Sequence, residues 1–118
     1  MIFVVEDDKY WGECIGRYLK GYDVQVFRNG LEAAVALNDG VPDAIILDIL
    51  LDGPNGFTFL NELQSYEDTG KVPVVVVSSL DFGDRDMSEY GVVKVIDKSK
   101  MMPQELKEIV KWIYEQKR

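Results

Sequence analysis

The chain has 118 residues, of which 47% are hydrophobic, and this length and composition suit one domain with a single core, residues 1–118. Its 21 acidic and 13 basic side chains give a net charge of −8, which argues against broad binding to nucleic acid or to an anionic membrane. The single cysteine excludes an internal disulfide, and the lack of histidine excludes catalysis by a histidine of this chain. Because no apolar run approaches the roughly 18 residues of a membrane span, we expect a cytoplasmic protein.

Apolar runs and segments of helical periodicity alternate along the chain. In chain order, the pattern predicts the strand 2–5, the helix 10–19, the strand 24–27, the helix 31–37, the strand 44–47, the helix 57–63, the strand 74–77, the strand 92–96 and the helix 106–113. The segment 79–90 contains Gly83 and few apolar positions, so any helix between the last two strands is predicted to be weak. This order predicts a doubly wound α/β domain, in which helices cover both faces of a parallel sheet.

Chemically reactive side chains follow four of the five predicted strands. In such a sheet, ligands bind beyond the carboxyl ends of the strands. The residues that stand there are Glu6, Asp7 and Asp8 after the first strand, Asp48 after the third, Ser78 and Ser79 after the fourth, and Lys98 near the end of the fifth. Taken singly, each has a plain structural explanation, such as a helix cap for Asp7 or Asp8. Their shared position at one edge favours a site.

The acidic residues of this edge indicate a metal. Glu6, Asp7 and Asp48 would form a carboxylate cluster, and such charges repel one another unless a cation is present. Mg²⁺ commonly binds one or two carboxylates together with waters and a phosphate oxygen. A lysine and a hydroxyl, here Lys98 and Ser78, suit the oxygens of a phosphate. The edge therefore predicts a Mg²⁺ site that works on a phosphoryl group.

Four stretches of the chain together resemble the response regulator receiver family of two-component signalling. They are Val4-Val5-Glu6-Asp7-Asp8, the segment 45–51 with Asn55-Gly56 beyond it, the segment 73–79, and Asp97-Lys98. The resemblance covers essentially the whole chain, and its specificity lies in the order and spacing of the four stretches. It implies the flavodoxin-like (βα)5 fold with a five-stranded parallel sheet of order 2-1-3-4-5.

The resemblance also implies a role for each site residue. Asp48 is similar to the phosphoacceptor, Ser78 to the switch hydroxyl and Lys98 to the lysine that pairs with the phosphate. Glu6 and Asp7 resemble the family's acidic pair that binds Mg²⁺. Asp48 and the backbone carbonyl of Leu50 are implied as further ligands of the metal. The implied protein is not a conventional enzyme, because it catalyses only its own phosphorylation and slow dephosphorylation.

Partners are implied by the same resemblance. The phosphodonor is a sensor histidine kinase or a phosphotransfer protein, and the output passes to a downstream protein or output domain. A homodimer linked to phosphorylation is an open possibility. Whether the chain stands alone or belongs to a larger regulator is also open.

The chain departs from the family pattern at several positions. Ser99 follows Lys98 where the family has a proline after a cis bond, which leaves a trans peptide or a costly cis peptide as alternatives. Val95 replaces the switch aromatic, Asp52 replaces a proline, and the segment from Ser78 to Lys98 is short. The alternative function is therefore a pseudo-receiver, which would use the fold for protein interaction without phosphorylation.

Other proteins of related chemistry fit the sequence less well. A phosphatase of the haloacid-dehalogenase type would have an acid two residues after its nucleophile, where this chain has Leu50. No Gly-x-x-x-x-Gly-Lys-Ser/Thr motif of a nucleotide hydrolase occurs. A flavodoxin would bind phosphate after its first strand, where acids stand here. We expect Tyr10 and Trp11 of the first helix to pack in the core, with a place on a kinase-docking face as the alternative.

Overall fold

The computed structural model describes residues 1–49, 56–79 and 87–117, and the predicted alternation of strands and helices is present there. The strands are β1 (Ile2–Val5), β2 (Val24–Phe27), β3 (Ala44–Leu47), β4 (Val74–Ser78) and β5 (Val92–Asp97). The helices are α1 (Lys9–Tyr18), α2 (Gly30–Leu37), α3 (Gly56–Gln64), the single turn α4 (Glu67–Gly70) and α5 (Pro103–Gln116). Two 3₁₀ turns, Ser88–Tyr90 and Lys98–Lys100, flank β5.

The five strands form one parallel sheet in the order β2-β1-β3-β4-β5, as the sequence predicts. In register, Val5 lies beside Leu47, and Leu47 lies beside Val76. The three central strands therefore end at nearly the same level. The residues that follow them in the chain are brought together at one edge, which is the arrangement that builds the site.

The core lies on both faces of the sheet because the central strands are apolar on both faces, with Ser78 at the end of β4 as the polar exception. Alternate strand residues such as Phe3, Ile45 and Val76 pack on one side with buried residues of α2 and α3. Ile46 and Val75 point to the other side, where α1 and α5 cover them. Burial on two faces explains why these strands read as continuous hydrophobic runs.

The region between β4 and β5 was predicted to hold at most a weak helix. Of the segment 79–90, residues 80–86 lie outside the described part of the chain, and the remainder contains the 3₁₀ turn at Ser88–Tyr90. The single turn α4 was not predicted, because four residues are too few to show a helical period. Within the described ranges, none of the helices has the length and apolar character that crossing a membrane requires.

Candidate functional site

The ends of β1 and β3 place two carboxylates side by side. Glu6 directly follows β1 and Asp48 directly follows β3. The backbone extends the sheet pairing to both, since the Asp48 N–H donates to the Val5 carbonyl at 3.0 Å and the Glu6 N–H donates to the Phe27 carbonyl at 2.9 Å. Their position is thus fixed by the sheet and not by a flexible loop.

These two acids and Asp7 form a cluster that is suited to a cation. One carboxylate oxygen from each of Glu6, Asp7 and Asp48 lies within 4.8 Å of the other two. Glu6 is 3% exposed, Asp48 is 6% exposed and Asp7 is half-buried. Three carboxylate oxygens at this spacing match the preference of Mg²⁺ for a few carboxylates plus waters. The predicted acidic residues are therefore together in space.

Lys98 neutralises part of this cluster. Its ammonium group donates to Glu6 Oε1 and, at 2.9 Å, to Asp48 Oδ2. Only 8% of Lys98 is exposed, so the ion pairs lie in a region that excludes most water. The lysine thus bridges the two carboxylates, although Glu6 lies 92 residues and Asp48 lies 50 residues before it in the sequence.

Burial shapes the proton affinities of the site. It raises the pKa of the Glu6 carboxyl to about 7, and the hydrogen bonds from Lys98 and from the Asp8 N–H offset only part of that rise. Burial alone would lower the pKa of the Lys98 ammonium, but its hydrogen bonds to Glu6 and Asp48 outweigh burial and raise it. The lysine therefore stays charged at neutral pH, while Glu6 is poised to bind either a proton or a cation.

The backbone around Lys98 takes the trans alternative. No cis peptide bond occurs among the described residues, which include both Lys98 and Ser99. Asp97 fixes the turn, since its carboxylate accepts from the Ser99 N–H at 3.0 Å and from the Ser99 hydroxyl at 2.7 Å. These hydrogen bonds also lower the pKa of Asp97. A 3₁₀ turn capped by Asp97 thus presents Lys98, and Ser99 occupies the position where the family pattern has a proline.

Ser78 is placed at the same end of the sheet. It is the last residue of β4, it is buried, and it pairs in register with Asp97, the residue before Lys98. Leu50, whose backbone carbonyl the resemblance implies as a metal ligand, lies outside the described residues, as does Asp52. Val95, which replaces the switch aromatic, is partly exposed on β5.

The first turn of α1 separates the roles of the neighbouring acids. Asp8 is the N-cap, because its carboxylate accepts from the Tyr10 N–H at 2.8 Å and from the Trp11 N–H at 3.3 Å. Asp7 is not the N-cap of α1, and its carboxylate belongs to the cluster with Glu6 and Asp48. The expectation that Tyr10 packs in the core is wrong, since this side chain at the start of α1 is 64% exposed.

Trp11 is the residue of the site that sequence reasoning missed. Its ring is half-buried and lies under Lys98, with Nζ 5.1 Å from the ring centroid. Helical periodicity identified Trp11 as apolar but gave no sign of its partner. The only available signal was its position four residues after Asp7, in the helix that begins at the acidic edge.

Fold and site define a doubly wound α/β domain with a buried acidic cluster and a lysine at the carboxyl end of its sheet. The sequence profile of the family described as "response regulator receiver domain" matches residues 2–111. The chain therefore belongs to the response regulator receiver family, which confirms the resemblance seen in the sequence. Response regulator MprA of Mycobacterium sp. (strain KMS) is 32% identical over 82 residues, which cover 68% of this chain and 35% of that protein. The matched segment thus spans about a third of that protein, so the chain covers only part of the curated relatives it matches.

Solved structures agree with this assignment. The receiver domain of a signal transduction histidine kinase from Syntrophus aciditrophicus is 29% identical, with a TM-score of 0.85 over 98% of this chain and 89% of that one. Response regulator TrrA from Thermotoga maritima, solved in complex with Mg²⁺-BeF, is 27% identical, with a TM-score of 0.80 over 95% of this chain and 96% of that one. These likenesses confirm the predicted flavodoxin-like fold.

Proposed function

We propose that this domain accepts a phosphoryl group on Asp48, in a Mg²⁺-dependent reaction with the phosphohistidine of a sensor kinase or phosphotransfer protein. The observation that carries the proposal is the bridge from Lys98 to Glu6 and Asp48 beside a third carboxylate. This arrangement supplies a nucleophile, a metal site and a cation for a phosphate within one buried cluster. The chain has no histidine, so the donor histidine must belong to the partner.

Glu6, Asp7 and Asp48 are the side chains that would hold Mg²⁺, with the backbone carbonyl of Leu50 as a further proposed ligand. Their donor set is entirely oxygen, as a hard cation requires. Bound there, Mg²⁺ would stabilise negative charge on the oxygens of the transferred group. The relative TrrA, crystallised with Mg²⁺-BeF, supports the choice of metal.

The reaction asks little covalent chemistry of the protein. A carboxylate oxygen of Asp48 attacks the phosphorus in line, the P–O bond forms, and the P–N bond to the partner's imidazole breaks with its electron pair passing to nitrogen. Lys98, which already donates a hydrogen bond to Asp48, is positioned to pair with a phosphoryl oxygen. The Ser78 hydroxyl at the end of β4 is the proposed hydrogen-bond donor to the same group. The domain thereby promotes only its own phosphorylation and slow dephosphorylation.

The output is proposed to be a change of surface around β4 and β5. Recruitment of Ser78 to the phosphoryl group would shift the end of β4, which pairs with β5 throughout. The partly exposed Val95 would then change its surroundings without the ring rotation that an aromatic allows. Because the matched segment covers only 35% of the relative MprA, we propose that 1–118 acts as one receiver domain whose target is an output domain or a separate protein.

The proposal is tested by intact mass after incubation with acetyl phosphate, in Mg²⁺ and in EDTA. We expect the wild-type protein to gain one phosphoryl group in Mg²⁺ alone and the Asp48→Asn variant to gain none. Asp39→Asn is the matched control, because Asp39 is an exposed acid that follows α2 and lies outside the cluster. Absence of modification in every condition would refute the proposal and favour the pseudo-receiver.

A further inference from the structure

The Lys98 ammonium has a third partner besides its two carboxylates. The indole of Trp11 lies on another side of it, with Nζ 5.1 Å from the ring centroid. A cation over the face of tryptophan is attracted by the ring, and the attraction grows when water is excluded. Lys98 is almost fully buried, so we expect its attraction to the ring to be stronger than that of an exposed cation–π pair.

The indole is itself held in place. Trp11 lies in the first turn of α1, where its backbone N–H donates to the capping carboxylate of Asp8 and fixes the backbone that carries the ring. The ring of Tyr10 meets it edge-on, with centroids 5.7 Å apart. The lysine, in contrast, places its charge at the end of a flexible four-carbon chain, and the Asp97-capped turn fixes only its backbone. The tip of the lysine therefore needs support from the surroundings.

The three partners of the ammonium differ in what happens when a metal binds. Glu6 and Asp48 are both proposed metal ligands, so a cation at the cluster would compete with Lys98 for their charge. The indole face carries no charge that a metal could take. Of the three partners, it is the one that is not a proposed metal ligand, so its attraction for the ammonium would not be reduced by a bound cation.

We propose that Trp11 is a positioning residue, which holds the Lys98 ammonium at the cluster by a cation–π contact when Mg²⁺ occupies the carboxylates. This inference rests on the proposed phosphorylation of Asp48 and deepens it. The indole takes no part in bond making. Its role is to support the side chain of Lys98, whose backbone lies in the turn where Ser99 follows it.

The test uses variants that keep or remove the aromatic face. Trp112, which is 47% exposed on α5, is first replaced in Trp112→Leu, so that Trp11 is the one tryptophan left of the two in the chain. Trp112→Leu is also the matched control, since it makes the same chemical change away from the site. Trp11→Phe retains a ring in this background, whereas Trp11→Leu retains only apolar volume.

The first measurement is the rate of phosphorylation by acetyl phosphate in saturating Mg²⁺. We expect Trp11→Leu to react roughly five- to thirtyfold more slowly, which is the rate equivalent of one desolvated cation–π contact. Trp11→Phe should recover most of the rate, and Trp112→Leu should match the wild type. Equal rates for Trp11→Phe and Trp11→Leu would show that the ring face has no role in positioning.

The second measurement does not depend on phosphorylation. A ring beneath the ammonium shifts the NMR signal of the Lys98 ε-methylene protons upfield, and we expect this shift to persist when Mg²⁺ is added. Loss of the shift on addition of Mg²⁺ to the folded wild-type protein would overturn the inference, even if Trp11→Leu did not fold. If no protein were phosphorylated while the shift persisted, the proposed function would fail and the positioning of Lys98 by Trp11 would stand.

Discussion

Burial of Glu6 predicts that the metal-free protein loses stability as the pH rises through neutrality. The pKa of its carboxyl is raised from 4.5 to about 7 by removal from water, so the folded state binds this proton more tightly than the unfolded chain does. A group of this kind contributes stability that is fully present below its unfolded pKa and is lost as pH rises through its folded pKa. The loss should therefore fall between pH 4.5 and about pH 7 to 8.

The size of the effect follows from the shift. At about 1.4 kcal/mol per pKa unit, linkage gives a loss of about 2 kcal/mol in the free energy of unfolding between about pH 5.5 and pH 8. Little of this is removed by solvent screening, because Glu6 is 3% exposed. Lys98 stays charged over the whole range, since its pKa is raised, and it adds no slope of its own.

The assay is urea unfolding in EDTA across this pH range, for the wild type and for Glu6→Gln. The glutamine cannot ionise, so the variant should lack the decline and become the more stable protein at pH 8. Saturating Mg²⁺ should reduce the wild-type decline, because a cation at the cluster favours the ionised carboxylate. Parallel pH profiles for the two proteins in EDTA would refute the reasoning.

Four other changes have definite expected outcomes. Asp8→Ala should lower the free energy of unfolding, measured in urea, by about 1 kcal/mol through loss of the α1 cap. Asp8→Asn is the control and should retain most of the wild-type stability, because its side-chain oxygen can still cap the helix. Gly16→Ala should stabilise by about 1 kcal/mol, since its Cβ would meet nothing within 4 Å. Gly56→Ala should destabilise by about 2 kcal/mol, because its Cβ would lie 2.6 Å from the Ile49 Cα, and an unchanged midpoint would contradict this packing. Lys98→Met should raise Mg²⁺ affinity at least about tenfold in calorimetric titration, since loss of one competing charge-assisted hydrogen bond, worth about 1.5–3 kcal/mol, already corresponds to that factor, and weaker binding would argue against competition.

Much of the fold was predictable because its signals are local. The run Val74-Val75-Val76-Val77 is apolar on both faces and follows a proline, which specifies a buried parallel strand without any tertiary information. The convergence of Glu6, Asp7 and Asp48 was predictable for a related reason. Once the order of strands and helices implies a parallel sheet, the residues after its strands must share an edge.

Features set by contacts between distant segments were not predictable. Tyr10 and Trp11 are adjacent aromatics in one helix, yet one faces solvent and the other covers Lys98. Composition cannot separate them, because the distinction depends on where Lys98 arrives from the far end of the chain. The same holds for the turn at Ser99, where the peptide is trans and the Ser99 N–H donates to the Asp97 carboxylate. Sequence alone left both the cis and the trans alternatives open.

The site has more acidic than basic side chains, and this excess of negative charge favours its proposed chemistry. Above the Glu6 pKa of about 7, three carboxylates meet one ammonium, so the cluster then keeps excess negative charge beside the buried Glu6 and Asp48. Such burial of like charges is costly for folding. The cost is tolerable because the central strands, which are apolar on both faces, supply a large buried core directly behind the cluster. Under the proposed function, a divalent cation bound there would reduce this excess of negative charge and compete with Lys98 for Glu6, which would leave the lysine available for the oxygens of an incoming phosphoryl group. The arrangement that we expect to make the metal-free protein less stable is thus the one that, under the proposed function, would prepare it to bind metal and phosphate together.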